Sequence, residues 1–366
     1  MIKLLVVDDS ALMRRLLADV FGRDDGFVLA FARDGVEALE RLETFRPDVI
    51  TLDINMPGLN GLETLDRIML QSPCPVVMLS ALTTEGAEET LEALTLGAVD
   101  FVAKPTGAVS LKIDALADEL IETVRSAASA RVRRTHRLAE RVRMKTQGAA
   151  RAPAAPAAPA RKASEPSDQP FIGHLPGLVV IGASTGGPPA LDAVLGALPE
   201  DFPWPVVIAQ HMPASFTGSL ARRLDGFCRL RVVEAAQATR LEPGLVVVAR
   251  GDADMILSRR AGGIVALPAP QDDRRRWHPS VDRLVESARQ VMPADRLAGV
   301  LLTGMGNDGA TAMTALQADG GWTVAESEQT AVVWGMPGEL AKAGGATVIA
   351  DLGDIGPHLA AAVRKR

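Results

Sequence analysis

Ile2-Lys3-Leu4-Leu5-Val6-Val7-Asp8-Asp9-Ser10 is an apolar run, broken only by Lys3, that ends in two carboxylates. The same construction recurs downstream. Asp48-Val49-Ile50-Thr51-Leu52 leads to Asp53, Pro75-Val76-Val77-Met78-Leu79 to Ser80, and Asp100-Phe101-Val102-Ala103 to Lys104-Pro105. Short apolar runs bounded by turns, with helix-compatible stretches between them, read as strands of a parallel sheet. Ligands of such sheets sit beyond the carboxyl ends of the strands. Three carboxylates, a hydroxyl and an ammonium are therefore expected at one edge, a donor set suited to Mg²⁺ and a phosphoryl group.

Outward from that run, candidate strands lie at 2–7, 27–32, 48–53, 75–80 and 99–103, and candidate helices at 11–22, 35–44, 61–71, 85–96 and 109–125. This five-fold βα alternation predicts a flavodoxin-like α/β domain. From 126 to 147 the chain is Arg-rich and still helix-compatible, and reads as a solvated extension of the last helix rather than a partner-binding helix. Ala149-Ala150-Arg151-Ala152-Pro153-Ala154-Ala155-Pro156-Ala157-Ala158-Pro159 follows, a composition that cannot form a core and reads as a semi-stiff linker.

A second α/β pattern starts near 177. Strands are expected at 177–181, 205–209, 230–233, 244–248, 299–302, 322–325 and 346–349. Met255-Ile256-Leu257, Gly262-Gly263 and Ile264-Val265-Ala266-Leu267 read as a hairpin, which predicts a mostly parallel, doubly wound sheet that is mixed at one edge.

Bulk properties narrow the function classes. The chain has 366 residues, which suits two or three domains at about 150 residues each. Its net charge of −6 argues against non-specific nucleic-acid binding. The two cysteines, Cys74 and Cys228, lack metal-ligand spacing and read as apolar filler in a reducing compartment. No signal peptide is read at the N-terminus, and no apolar run approaches the roughly 18 residues that span a bilayer. A cytoplasmic protein without membrane insertion is expected.

Two constellations carry chemistry. In the first half, Asp8, Asp9 and Asp53 are candidate Mg²⁺ ligands, with the Asn55 carbonyl as a further one. Asp53 is the candidate phosphoryl acceptor, and Lys104 and Ser80 are placed to bind phosphoryl oxygens. In the second half, Gly182-Ala183-Ser184-Thr185-Gly186-Gly187 follows a strand and precedes a helical stretch. G-x-S-x-G is the spacing of a nucleophile elbow, and a Gly-rich phosphate loop is the competing reading. His211 and Asp308 follow other predicted strands, as a base and its orienting acid should. Met305 N–H is the preferred oxyanion donor, with Thr185 as helper. His278 with Asp252 or Asp254 is the rival pair; it precedes a helix start rather than following a strand. His136, His174 and His358 read as surface residues.

Residues 1–125 resemble the receiver domain of two-component response regulators at Val7-Asp8-Asp9-Ser10, Leu52-Asp53-Ile54-Asn55-Met56-Pro57, Leu79-Ser80-Ala81 and Phe101-Val102-Ala103-Lys104-Pro105. The resemblance implies phosphorylation of Asp53 by a histidine kinase, with Ser80 and Phe101 responding to the phosphate. About 176–355 resembles the catalytic domain of chemotaxis-specific protein-glutamate methylesterases. The matching motifs are Gly182 to Gly187, Gln210-His211-Met212-Pro213, Pro279-Ser280-Val281-Asp282 and Thr303-Gly304-Met305-Gly306-Asn307-Asp308-Gly309-Ala310. By that resemblance Ser184, His211 and Asp308 form the triad. The implied substrates are glutamate methyl esters, and selected glutamines, of chemoreceptors, with no metal at the catalytic site. The expected domains are a receiver at 1–125, a basic extension and linker at 126–175, and a catalytic domain at 176–366. A DNA-binding output is disfavoured by the size of the second half and its lack of a basic recognition helix; a small-molecule esterase is the remaining alternative.

Overall fold

The structure, a computed structural model, describes residues 1–81, 83–104, 113–130 and 175–365. The basic stretch beyond residue 130 and the Ala/Pro-rich run lie outside the described residues, as do His136 and His174. The chain divides into two compact units, Met1–Ala154 and Ala155–Arg366.

The first unit holds β1 (Ile2–Val7), α1 (Ala11–Phe21), β2 (Phe27–Ala32), α2 (Gly35–Phe45), β3 (Val49–Asp53), α3 (Gly61–Gln71), β4 (Val76–Ser80), α4 (Thr84–Leu96), β5 (Asp100–Ala103) and α5 (Ile113–Ala128). Its sheet is parallel with order β2-β1-β3-β4-β5, the flavodoxin-like arrangement. Leu4 to Val7 on β1 and Val76 to Met78 on β4 are fully buried, each such side chain contributing about 1.5–3 kcal/mol through burial. Helices start where a polar residue can accept the first free N–H groups. Ser10, Asp34 and Asn60 cap α1, α2 and α3, and Asn60 with Glu63 forms a reciprocal capping box. The strand order leaves a switch point between β1 and β3, and Asp8 and Asp53 stand at its carboxyl ends.

The second unit contains β6 (Leu178–Ala183), α6 (Gly187–Gly196), β7 (Val206–Gln210), α7 (Ala214–Phe227), β8 (Arg231–Glu234), β9 (Thr239–Arg240), β10 (Leu245–Val248), β11 (Asp254–Arg260) and β12 (Gly263–Ala269). There follow α8 (Val281–Val291), β13 (Leu297–Leu301), α9 (Ala310–Ala318), β14 (Trp322–Glu326), α10 (Met336–Lys342), β15 (Val348–Ala350) and α11 (Leu352–Lys365). Seven strands pair in the order β15-β14-β13-β6-β7-β10-β8, all parallel. Every residue of the central strand β6 is buried.

The hairpin corrects the expected mixed edge. β11 and β12 pair antiparallel, but β12 continues to β9, making a separate three-stranded sheet. Apolar alternation on the hairpin identified two strands that need a partner; it could not say that the partner is the two-residue β9, which has no apolar pattern of its own.

Candidate active site and phosphoryl-acceptor site

In the first unit, β1 and β3 bring Asp8 and Asp53 together. Both are buried, and Lys104 Nζ reaches Asp53 Oδ2 at 2.7 Å and Asp8 Oδ2 at 3.0 Å. Ser10 N–H donates to Asp8 Oδ1 at 2.9 Å and Asn55 N–H to Asp53 Oδ1 at 3.2 Å. Burial pushes the Asp53 carboxyl above its ordinary value, and the neighbouring Asp8 adds to that, against the opposing pull of Lys104. Burial also works against the Lys104 ammonium, yet the hydrogen bonds and charges of Asp53 and Asp8 outweigh it and hold its pKa above the usual lysine value. Oxygens of Asp8, Asp9 and Asp53 lie within 4.8 Å of one another. Opposite ligands of an octahedral Mg²⁺ stand about 4.1 Å apart. The all-oxygen set, with three carboxylates against an ammonium paired with Asp8 and Asp53, fits a hard divalent cation. Arg14 serves the backbone here, donating to the Asp8 carbonyl at 2.7 Å and the Asp9 carbonyl at 3.0 Å.

Ser80 is placed differently from the three carboxylates. Its buried hydroxyl lies 2.6 Å from Thr90 Oγ1 and 3.2 Å from the carbonyls of Ala81 and Gly86, so it is tied to α4 and its approach. Phe101 is half-buried on β5.

In the second unit, Ser184 follows β6, His211 follows β7 and Asp308 lies in the loop after β13. These are the central strand and its two neighbours. The ladder runs on past the strands: Ser184 N–H donates to the Thr303 carbonyl and His211 N–H to the Ala183 carbonyl, each at 3.0 Å. The backbones of Ser184 and His211 are thereby fixed against each other.

Asp308 is buried and accepts four hydrogen bonds. Oδ2 takes His211 Nε2–H at 2.9 Å and Val281 N–H at 2.7 Å; Oδ1 takes Ser280 Oγ–H at 3.1 Å and Asp282 N–H at 3.0 Å. Val281 opens α8 and Ser280 is its N-cap, so the carboxylate sits on a helix N-terminus, where negative charge is favoured. Burial would raise the Asp308 carboxyl, but His211 and the two N–H donors outweigh it and hold it below the usual carboxylate range. An ionised carboxylate only accepts, so the proton of a neutral His211 is on Nε2 and the lone pair on Nδ1. Nδ1 is buried and has no hydrogen-bond partner among the described residues. Ser184 is half-buried, and its hydroxyl is also without a hydrogen-bond partner among them.

Two glycines are required by close approach. A Cβ on Gly304 would lie 2.7 Å from Ser184 Cβ and 2.4 Å from Met336 Sδ, so only glycine lets this loop pass Ser184. A Cβ on Gly187 would lie 1.9 Å from Gln210 Oε1.

Residues 179–359 match the family described as CheB methylesterase, and residues 4–115 the response regulator receiver domain family. A protein-glutamate methylesterase/protein-glutamine glutaminase 2 of Rhodopseudomonas palustris is 53% identical over 356 residues, 97% of this chain and 96% of its own length. The chain belongs to the CheB methylesterase family. A protein-glutamate methylesterase/protein-glutamine glutaminase 3 of Rhodospirillum rubrum is 50% identical over 95% of this chain and 93% of its own. The crystal structure of the Thermotoga maritima CheB methylesterase catalytic domain is 37% identical, covers 50% of this chain and 97% of its own, and has a TM-score of 0.49.

Within this CheB methylesterase chain the structure joins His211 to Asp308 directly and puts Ser184 just past the end of the strand between theirs. Met305 N–H has no hydrogen-bond partner among the described residues, as an oxyanion donor requires before substrate arrives. Thr185 is buried, and its carbonyl accepts Thr303 Oγ1–H at 2.9 Å. His278 bonds Asp254 through Nδ1 at 3.1 Å, so the rival pair exists. Asp254 is nonetheless occupied, since it also takes Ser280 N–H, Asp272 N–H and the Arg283 guanidinium. His358 is exposed.

Sequence reasoning assigned no role to Gln210 or to the N-terminus of α8. The Gln210 amide donates to the Ser184 carbonyl at 2.9 Å and the His211 carbonyl at 3.0 Å, clamping the two loops together. A polar residue ending an otherwise apolar buried strand was the available signal. The backbone donors of Val281 and Asp282 carry no side-chain signature; Ser280 ahead of an apolar-periodic run was a readable N-cap.

Proposed function

We propose that this chain removes methyl groups from glutamyl γ-methyl esters of chemoreceptors and deamidates receptor glutamines, using Ser184, His211 and Asp308, under control of phosphorylation at Asp53. The His211–Asp308 hydrogen bond, made by the two strands that flank the strand ending in Ser184, carries this reading.

Ser184 Oγ attacks the γ-carbonyl carbon while His211 Nδ1 takes the hydroxyl proton. Nε2–H stays donated to Asp308, whose charge stabilises the imidazolium that forms. The carbonyl oxygen, now negative, is met by Met305 N–H, with Thr185 beside it. Collapse breaks the bond to the methoxy oxygen, which leaves as methanol with the proton from Nδ1. A water then attacks the acyl-enzyme, giving its proton to Nδ1; as the acyl–Oγ bond breaks, Nδ1 passes that proton to Ser184 Oγ, and glutamate and free Ser184 are released. With a glutamine substrate the same cycle expels ammonia. These steps place every proton on His211 and call for no metal at Ser184.

In the receiver unit Asp8, Asp9, Asp53 and the Asn55 carbonyl would hold Mg²⁺. When bound there, it supplies positive charge that offsets repulsion between the Asp53 carboxylate and an incoming phosphoryl group. Asp53 accepts the phosphoryl group of a histidine kinase, Lys104 pairs with one of its oxygens, and Ser80 leaves its α4 partners to bind another, with Phe101 following. The assigned domains are 1–125, 126–175 and 176–366. The substrate helices lie in the cytoplasm, and no helix among the described residues is long and apolar enough to cross a membrane. The test is methanol release from methylated receptor membranes by the full chain. A rise on adding a small-molecule phosphodonor with Mg²⁺ supports the reading. Equal rates with and without the phosphodonor, in protein shown to be phosphorylated, would remove the gate; no release at all would remove the substrate.

A further inference from the structure

The His211 ring has a neighbour that the triad does not account for. The Trp277 ring lies parallel to the imidazole, with centroids 5.7 Å apart and an interplanar angle of 3°. Trp277 also reaches the loop that follows Met305. A Cβ on Gly306 would lie 2.5 Å from Trp277 Cζ2, and Gly306 has φ +81, a conformation that glycine adopts without strain. One half-buried indole thus stacks over the base and packs against the loop carrying the oxyanion donor. The Arg276 guanidinium carbon stands 5.3 Å from the centroid of the same ring.

We propose that Trp277 is a positioning residue for the reaction. It holds the His211 plane so that Nδ1 faces Ser184, and its π face favours the imidazolium formed when Nδ1 takes the proton. Asp308 fixes one edge of the ring through Nε2, but a single hydrogen bond leaves the imidazole free to tilt about that contact. A parallel aromatic surface removes the tilt. The electrons of an indole face attract a cation more than a neutral ring, so the stack strengthens as His211 becomes charged. The Gly306 contact ties the same ring to Met305, so base and oxyanion donor keep their spacing through the cycle.

The inference rests on the triad reading, and its test keeps the two apart. The rate of Ser184 modification by a fluorophosphonate is followed against pH in full-length protein, with the phosphodonor and Mg²⁺ present. This reaction needs no receptor, and mass spectrometry identifies the modified residue. The charged groups around His211 are Asp308 on Nε2 and Arg276 over Trp277. Next outward come Asp282, whose N–H is on Asp308, and His278, which is bonded to Asp254. Trp277→Leu leaves all of them in the chain.

The expected result for Trp277→Leu is a rate per titratable site about tenfold lower, with the acidic limb of the profile moved about 0.5 pH unit lower. Trp277→Phe, with a weaker π face, should move the limb in the same direction by less. A displaced Arg276 would move it the opposite way, because removing a positive charge favours the imidazolium. If Trp277→Leu fails to fold, Trp277→Phe decides the matter. A limb that is unmoved, or moved upward, in the decisive variant overturns the proposal, as does a rate loss that disappears once the titratable sites are counted. Absence of Ser184 modification in wild-type protein would instead overturn the triad.

Discussion

Replacing Asp308 by Asn tests the triad at its most heavily bonded atom pair. Each carboxylate oxygen accepts two hydrogen bonds, so neither position has room for an amide NH₂ that donates. With NH₂ at the Oδ2 position, Val281 N–H faces a donor and loses its partner, and His211 accepts at Nε2 only by moving its proton to Nδ1. That tautomer has no lone pair for the Ser184 proton. With NH₂ at the Oδ1 position, Ser280 Oγ can turn to accept, but Asp282 N–H faces a donor. The first orientation removes the base; the second keeps the tautomer but loses the negative charge that stabilises the imidazolium. An Asp-to-Asn change at such a position costs about 10⁴ in kcat, or about 5.5 kcal/mol of barrier. Loss of hydrogen bonds to a charged group adds about 1.5–3 kcal/mol of destabilisation per bond, read as a lower Tm. The assay is methanol release from methylated receptor membranes, normalised to folded protein by circular dichroism, beside a thermal melt. Activity of Asp308→Asn within tenfold of wild type, a loss below about 1.4 kcal/mol, would refute the reasoning.

Three further outcomes follow from named contacts. Gly187→Ala puts a Cβ 1.9 Å from Gln210 Oε1, so the amide that clamps Ser184 and His211 must move; stability should fall by about 1–3 kcal/mol and methanol release with it, measured by urea unfolding and initial rates. Burial, reinforced by Asp308, pushes the Asp282 carboxyl up to about 6 from 3.8, against the hydrogen bond from Ala312 N–H. The folded chain therefore holds a proton that the unfolded chain has released between those values, and this group lowers stability as pH rises through that window. Asp308 has the opposite sign: its contribution is present above the ordinary carboxylate value and is lost as pH falls through its lowered folded value. Asp282→Asn should thus raise Tm at pH 7, with a ceiling of about 3 kcal/mol, and leave it unchanged near pH 3, as scanning calorimetry at both pH values would show. Asp53→Asn should take up no phosphoryl group from a small-molecule phosphodonor and show no stimulation of methanol release, read by intact mass and initial rates.

The sheets and most of their strand ends were legible because each chemistry-bearing residue follows an apolar run long enough to be a buried strand. Val7 precedes Asp8, Leu52 precedes Asp53 and Ala183 precedes Ser184, and burial of those runs fixes where their ends point. A helix start after His278 was also readable, and the buried Val281, Leu284, Val285, Ala288 and Val291 form one face of the α8 that follows. Pairing between distant segments was not legible. β12 joins β9, Trp277 meets His211 and the N-terminus of α8 meets Asp308 through tertiary contacts that no local pattern encodes. The nitrogen facing Asp308 was equally hidden: the sequence names a histidine, and only the ring's orientation makes Nε2 the donor to Asp308 and leaves the lone pair on Nδ1. Ser80 shows the same limit, since its strand was readable while its engagement with Thr90 depends on how α4 packs.

The most direct test of the central claim is methanol release from methylated receptor membranes by Ser184→Ala, beside wild-type protein at equal phosphorylation. Release at the level of membranes alone is expected for Ser184→Ala, with wild type well above it. Turnover by Ser184→Ala at a rate comparable to wild type would contradict the assignment of Ser184 as the nucleophile.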